Sequence, residues 1–247
     1  MDFKLPFDLE FLEKLSNDMQ YMVSSVNKAL ENTQFAFSAY LQILKKAPDS
    51  IKILANYGWY MPIDFDPVTV NRLAADLKEG KTKLVDNKLI KHFDLELLNI
   101  QKKVISNFPN RSKAVIAGFR AHKRKEYYLS IPVFFAQIEG ICNELTGTRF
   151  FKIKENQPKT LTWVNKFENN SMIRILLEPL YISGPMRQSQ DLNNPIGLNR
   201  HDVLHGDSLN YGDSKIVAYK VLSLMNYISE TVFEAKKFLD SNTKTIK

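Results

Sequence analysis

Two of the chain's four histidines fall within one short segment, NRHDVLHGD at 199–207. At about 100° per residue, a helix here would set Arg200, His201 and His205 at roughly 0°, 100° and 140°, so all three can face one cleft. A guanidinium can stabilise the extra negative charge of a phosphorane, and an imidazole exchanges a proton near neutral pH. An arginine followed by four residues and a histidine therefore suits RNA cleavage, with Asn199 beside the pair and no metal or cofactor required. His201 and His205, at i and i+4, also have the spacing of half a metal site. However, Asp202 rather than glutamate follows His201, and no cysteine cluster exists to complete the ligand set, so no metal is expected. The structural alternative is that Arg200 and His205 cap a helix or hold the preceding loop.

A second candidate surface is the most basic segment of the chain, within 112–127. It carries Lys113, Arg120, His122, Lys123, Arg124 and Lys125 against Glu126 alone. Surface charge is usually interleaved in sign, so this excess marks a phosphate-contacting face, set against the alternative of a plainly solvated one. Glu139 is a third candidate, because on a helix it lies at the edge of the apolar face made by Phe134, Phe135, Ile138, Ile141, Cys142 and Leu145. Exposed helix former is its alternative reading. Ala136 and Gly140, on the same side as Glu139, would let a neighbouring helix approach closely.

The elements that must position these residues read as helices throughout. Leu12, Leu15, Met19, Met22, Val26 and Leu30 recur at three and four residues, predicting a core-facing helix pair over 8–46 that Pro48 and Asp49 break. YGWYMP at 57–62 is an aromatic turn whose rings plug a core. Asp66 as N-cap, Pro67 at the first helical position and Gly80 beyond the last turn bracket a short helix. Helical spacing resumes over 86–108, and PNRS at 109–112 forms a turn where a domain boundary can lie. Ser130 as cap, Pro132 in the first turn and Gly147 past the end frame the next helix. Another occupies much of 160–178. YISGPMRQSQDLNNPIGLN then supplies the longest loop. From Ser214, the residues Val217, Val221, Leu224, Ile228, Val232, Ala235 and Leu239 form a final core or dimerisation helix. No strand-period segment competes, so the chain is read as all-α, with an N-terminal region at 1–110 and a second at 111–247.

With 44% hydrophobic residues over 247 positions there is material for a substantial core. The single cysteine, Cys142, precludes an intrachain disulfide, fits a reducing, cytoplasmic setting and reads as a small core hydrophobe. The opening MDFKLPFDLEFLEKL mixes acids with bases, unlike a signal peptide, and no apolar run reaches membrane-spanning length. A formal charge of +7 permits a polyanionic partner without specifying one.

NRHDVLHGDSLNYGDSKIVAYKVLSLMNYI, together with RAHKRKEYYLSIPVFFAQIEGICNELTG upstream, resembles the HEPN superfamily of small helical proteins. The resemblance spans roughly 111–240 and implies a helical bundle with a HEPN-like C-terminal core. Its signature is an arginine, often with a polar neighbour, then four to six residues and a histidine, which Arg200, His201 and His205 match. Family members are commonly metal-independent endoribonucleases of toxin, antiphage and CRISPR systems. The resemblance thus implies a homodimer that joins two arginine and histidine pairs in one cleft, an RNA substrate, and a partner or regulatory protein. It also implies that His205 serves as general base or acid in attack of the 2′-hydroxyl on the phosphate, that Arg200 stabilises the transition state, and that Glu139 orients the pair. A tyrosine two residues after the histidine, found in one subgroup, is replaced by Asp207. The alternative from the same resemblance is a non-catalytic RNA-binding or protein-interaction module.

Overall fold

Neither glycine nor proline interrupts residues 9–47, and a single helix, α1 (Leu9–Asn56), occupies the region where the apolar spacing predicts two. This is seen in the computed structural model of the chain, which describes residues 9–155, 157–168, 172–182, 184, 186–187 and 199–244. No turn divides this helix, so the stripe is not folded back on a second helix of the same segment. Met19, Met22, Val26 and Leu30 are exposed, while the side chains of Leu12 and Leu15 lie outside the described residues. The expected core-facing pair is thus corrected to one helix with an open apolar stripe. Pro48 does not end it either. A mid-helix proline costs about 3 kcal/mol, and burial of Ala47, Ile51, Leu54 and Ala55 around it offsets that cost.

Two compact units divide the chain, Met1–Lys45 and Lys46–Lys247. The division expected near residue 110 falls inside the second, whose single core runs from Ile51 to Ala235. After α1, Trp59, Tyr60 and Met61 are buried in this core, as the aromatic turn predicts, with Trp59 stacked on Phe93 at 5.9 Å. Helix α2 (Pro67–Lys78) begins where Asp66 accepts hydrogen bonds from the Val68 and Thr69 amides and ends before Gly80 at φ 76°. Helix α3 (Thr82–Asn107) follows, and a 3-10 turn at Pro109–Arg111 leads into α4 (Ser112–Lys123).

Helix α5 (Tyr127–Thr146) starts three residues before the expected cap. Ser130 is therefore buried in the second turn, its hydroxyl 3.4 Å from His122 Nδ1, and Pro132 sits inside the helix. Lys125, in the left-handed region at φ 63°, sets this earlier start by turning the chain directly out of α4. Gly147, at φ 73°, closes the helix as predicted. Gly140 accommodates the Arg111 guanidinium instead of a helix backbone: a Cβ there would lie 2.4 Å from Arg111 Nη1. The close helix approach is instead at Gly118, where a Cβ would meet Phe134 at 3.0 Å, and Ala136 is exposed.

A two-residue antiparallel ladder pairs β1 (Ile153–Lys154) with β2 (Gln157–Pro158). The helix expected over 160–178 is two short ones, α6 (Leu161–Val164) and α7 (Met172–Leu176). Arg174 explains the break, since its guanidinium donates to the carbonyls of Val164 (3.0 Å) and Phe167 (3.2 Å) and so ends α6 by a side-chain contact. Most of the expected long loop, 188–198, lies outside the described residues.

Helix α8 (Arg200–His205) precedes α9 (Lys215–Tyr227), which starts next to Ser214 as expected; the Ser214 hydroxyl accepts from the Val217 amide and caps it. The final helix continues through a π turn at Ile228–Val232 into α10 (Phe233–Lys244). Asn107 donates to the Ser229 carbonyl at 3.0 Å, supplying a partner within the widened turn. Every residue from Val217 to Tyr227 is buried, so α9 is the centre of the core rather than one of its walls.

Two buried polar side chains of α9, Lys220 and Ser223, are matched to partners. Asp86 accepts from Trp59 Nε1 at 2.8 Å and lies 3.6 Å from Lys220 Nζ, while Ser223 Oγ accepts from the Tyr60 amide. Burial pulls the Lys220 ammonium below the usual lysine range, with Asp86 opposing the shift. Cys142 is wholly buried, and burial pushes its thiol up to about 12, in keeping with a core hydrophobe.

Candidate functional site

Asn199 opens α8 by accepting the His201 amide on Oδ1 at 2.7 Å, and is itself buried. Polar side chains in this position satisfy an amide that the first helical turn leaves free. Val203 faces the core, where α8 packs on α5. The helix ends on Gly206 at φ 84°, and the amides of Gly206, Asp207 and Ser208 all turn back onto the Asp202 carbonyl. One cap, one buried valine and one left-handed glycine thus fix six residues of helix.

This arrangement leaves the two imidazoles facing outward, with the arginine beside them half-buried. His201 and His205 are exposed, with ring centroids 4.2 Å apart and planes at 47°. Arg200 is half-buried, and its Nε has no hydrogen-bond partner among the described residues; nor has the buried Oδ1 of Asp202. No ion pair within the described residues engages Arg200, His201 or His205. Of the candidates, Asn199 is thus structural in its local contact, whereas Arg200 Nε and both imidazoles have no hydrogen-bond or ion-pair partner among the described residues.

The segment after α8 is docked onto α5 by contacts that periodicity and capping signals do not mark. Tyr211 donates its hydroxyl to the Tyr128 carbonyl at 2.9 Å, and Tyr128 donates its own to Asp213 at 2.6 Å. The two rings meet edge to face, 5.0 Å apart. Pro132, four residues after Tyr128, has no N–H for that carbonyl, which is why the carbonyl is available to Tyr211. Proline at i+4 from an exposed tyrosine was the one signal for it.

Glu139 has a different partner from the one the resemblance implies. Its Oε2 accepts from the Phe151 amide at 3.1 Å, holding the chain just after α5, and no hydrogen bond or ion pair among the described residues joins it to Arg200 or His205. Its charge also acts on Arg187, a residue the sequence reading did not single out. Arg187 is buried with its guanidinium 3.8 Å from the centre of the Phe150 ring and donates to Thr160 Oγ1, and desolvation pulls it down to about 10.

On the basic segment, Lys113, Arg120, Lys123, Arg124 and Lys125 are all exposed. Arg124 is engaged in a forked pair with Glu126 at 2.9 and 2.7 Å, a geometry that takes up part of its donor fork. His122 is not part of this surface. It is buried against Tyr127, Phe134 and Tyr219, where desolvation pulls its imidazole down to about 4. A second basic patch lies at the β1–β2 hairpin, beside a cleft of about 410 Å³ lined in part by Thr148, Lys154, Lys159 and Thr162. There the charge of Lys152, followed by desolvation and the charge of Lys154, holds Lys159 below the usual lysine range.

Compared with known protein families, characterised proteins and solved structures, the chain matches none. Among the described residues no group of three or more His, Cys, Asp or Glu is arranged to hold a metal ion, and no helix is long and apolar enough to cross a membrane.

Proposed function

We propose that the chain is a metal-independent endoribonuclease of the HEPN type, with its HEPN-like core in residues 111–247. The observation that carries this reading is the state of α8: a helix of six residues with an exposed imidazole pair beside a half-buried arginine whose Nε has no hydrogen-bond partner, and none of the three in an ion pair, among the described residues. A purely structural arginine and histidine would be expected to spend their donors on the protein.

In this reading His205 takes the proton of an RNA 2′-hydroxyl, and the resulting oxygen attacks the adjacent phosphorus. Arg200 neutralises the charge that accumulates on the non-bridging oxygens. The bond to the 5′ oxygen breaks, and that oxygen leaves with a proton from a second imidazole, either His201 or one supplied by a second copy of the chain. The products are a 2′,3′-cyclic phosphate and a 5′-hydroxyl. Glu139 acts at one remove, by holding the segment at Phe151. Lys113, Arg120, Lys123 and Lys125, with part of Arg124, bind the RNA backbone, and a homodimer joins two such sites. Cytoplasmic antiphage defence or a toxin system, with a partner or regulatory protein, is the biological setting that follows from the HEPN likeness.

Incubation of the purified protein with mixed RNA in EDTA, followed by end-group analysis of the fragments, tests this. Cyclic phosphate and 5′-hydroxyl ends are expected, together with a dimer in sedimentation velocity. Salt-dependent RNA binding without any cleavage would assign the chain to the non-catalytic alternative.

A further inference from the structure

Well apart in sequence from α8, the second unit contains a cleft of about 210 Å³, walled by the turn after α1, by α3 and by α9. Asn226 of α9 lines it while being only 4% exposed, and its Oδ1 has no hydrogen-bond partner among the described residues. A buried acceptor left unpaired is destabilising. A cleft that keeps one at its wall has a place for a donor from outside the chain.

The surrounding groups specify what kind of donor. Asp64 and Glu96 both line the cleft. Lys103, the one lysine or arginine among the described lining residues, is already shared between Asp64 (3.3 Å) and Glu230. Glu230 follows Asn226 by one helical turn, and its buried Oε2 is also unpartnered. Asn99 donates to one oxygen of Glu96 at 3.0 Å and leaves the other free. Acceptors and negative charge are thus in excess, which excludes an anionic ligand.

An inorganic cation is a poor match, since the described carboxylates and His92 do not converge as metal ligands do. Phe65 and His92 instead offer ring surface, packed edge to face at 4.8 Å. A flat, delocalised cation can lie against such rings while its N–H groups reach the acceptors. The volume, about seven times the share of one liquid water molecule, suits a molecule of small-metabolite size.

We propose that this cleft binds a small organic cation of the guanidinium or amidinium class, with Asn226 Oδ1 and the Glu96 carboxylate as its acceptors. The proposal is independent of the ribonuclease reading and uses none of its residues.

Isothermal titration of the whole chain with phenylguanidinium, set against its neutral counterpart phenylurea, tests it. Saturable binding of one phenylguanidinium per chain is expected, with much weaker binding of phenylurea. Asn226→Leu should reduce affinity by about tenfold or more, the loss expected for a hydrogen bond to a charged group. Glu96→Gln, a near-isosteric change at a part-exposed residue, should also weaken it, and decides the matter alone if the Asn226 variant does not fold. Arg200→Ala should leave binding unchanged. Absence of saturable binding at millimolar concentration, equal binding of phenylurea, or wild-type affinity in both cleft variants would overturn the proposal.

Discussion

Tyr211 donates its phenolic hydrogen to the backbone carbonyl of Tyr128, the carbonyl that Pro132 leaves without a partner in α5. The relationship ties the segment after α8 to a rigid helix and so fixes where Arg200 and His205 stand. Gly212 completes the fit, because a Cβ at that position would lie 2.4 Å from Tyr128 Cγ.

Gly212→Ala should therefore displace the Tyr128 ring and break its bond to Asp213, costing about 1–3 kcal/mol as overpacking does. Tyr211→Phe should cost about 1 kcal/mol, the net worth of one hydrogen bond. In both variants hydrogen exchange at 207–213 should accelerate before exchange in α9 does. Unchanged protection in that segment would show that these contacts do not hold it.

His122 gives the chain a defined acid sensitivity. Its imidazole is held neutral in the folded state, at about 4 against an ordinary 6.5, so the unfolded chain binds a proton first as pH falls. Stability is then whole above about pH 6.5 and declines towards about pH 4, by about 3 kcal/mol from this residue. Urea unfolding across this range checks it. His122→Leu should flatten the decline.

Asp86 and Lys220 form a buried pair whose members depend on each other. Asp86→Leu removes the acceptor of Trp59 Nε1 and leaves the Lys220 ammonium without its carboxylate, which should cost about 3–5 kcal/mol. The double variant Asp86→Leu with Lys220→Met should recover much of that loss, as measured by denaturant unfolding.

Much of this architecture is legible in the sequence where several signals agree. Asp66, Pro67 and Gly80 define α2 because cap, first position and exit each impose a separate backbone requirement. The buried aromatic turn is legible from its ring content, and the core-forming final helix from the three- and four-residue spacing of Val217 to Leu239. Single signals mislead. Ser130 with Pro132 imitates a helix start, yet the start is set upstream by the turn at Lys125. Arg174 divides 160–178 through contacts seven and ten residues away, which periodicity does not encode. The apolar stripe at 19–30 records apolar character only; the absence of a turn is what leaves it open. In the site, the helical setting of Arg200, His201 and His205 follows from Asn199 and Gly206. The tertiary partners of Glu139 and His122 do not follow from local sequence, since both partners come from other elements.

The basic face should reveal itself through salt. Each cation that meets a phosphate of single-stranded RNA contributes about 0.7 to the slope of log affinity against log salt. Replacing Lys113, Arg120 and Lys123 together by glutamine should lower that slope by up to about 2 and weaken binding across RNA sequences. Arg124→Gln should change it less, because Glu126 already holds that guanidinium.

The ribonuclease reading stands or falls on Arg200 and His205 acting on the same phosphodiester. The decisive measurement is the cleavage rate of one RNA in EDTA by wild type, Arg200→Ala and His205→Ala, with circular dichroism confirming that all three are folded. The account predicts cutting by wild type and a loss of about a hundredfold or more in each variant, the scale of a removed general acid or base. Intact RNA with wild type, or equal cutting by either variant, would contradict it.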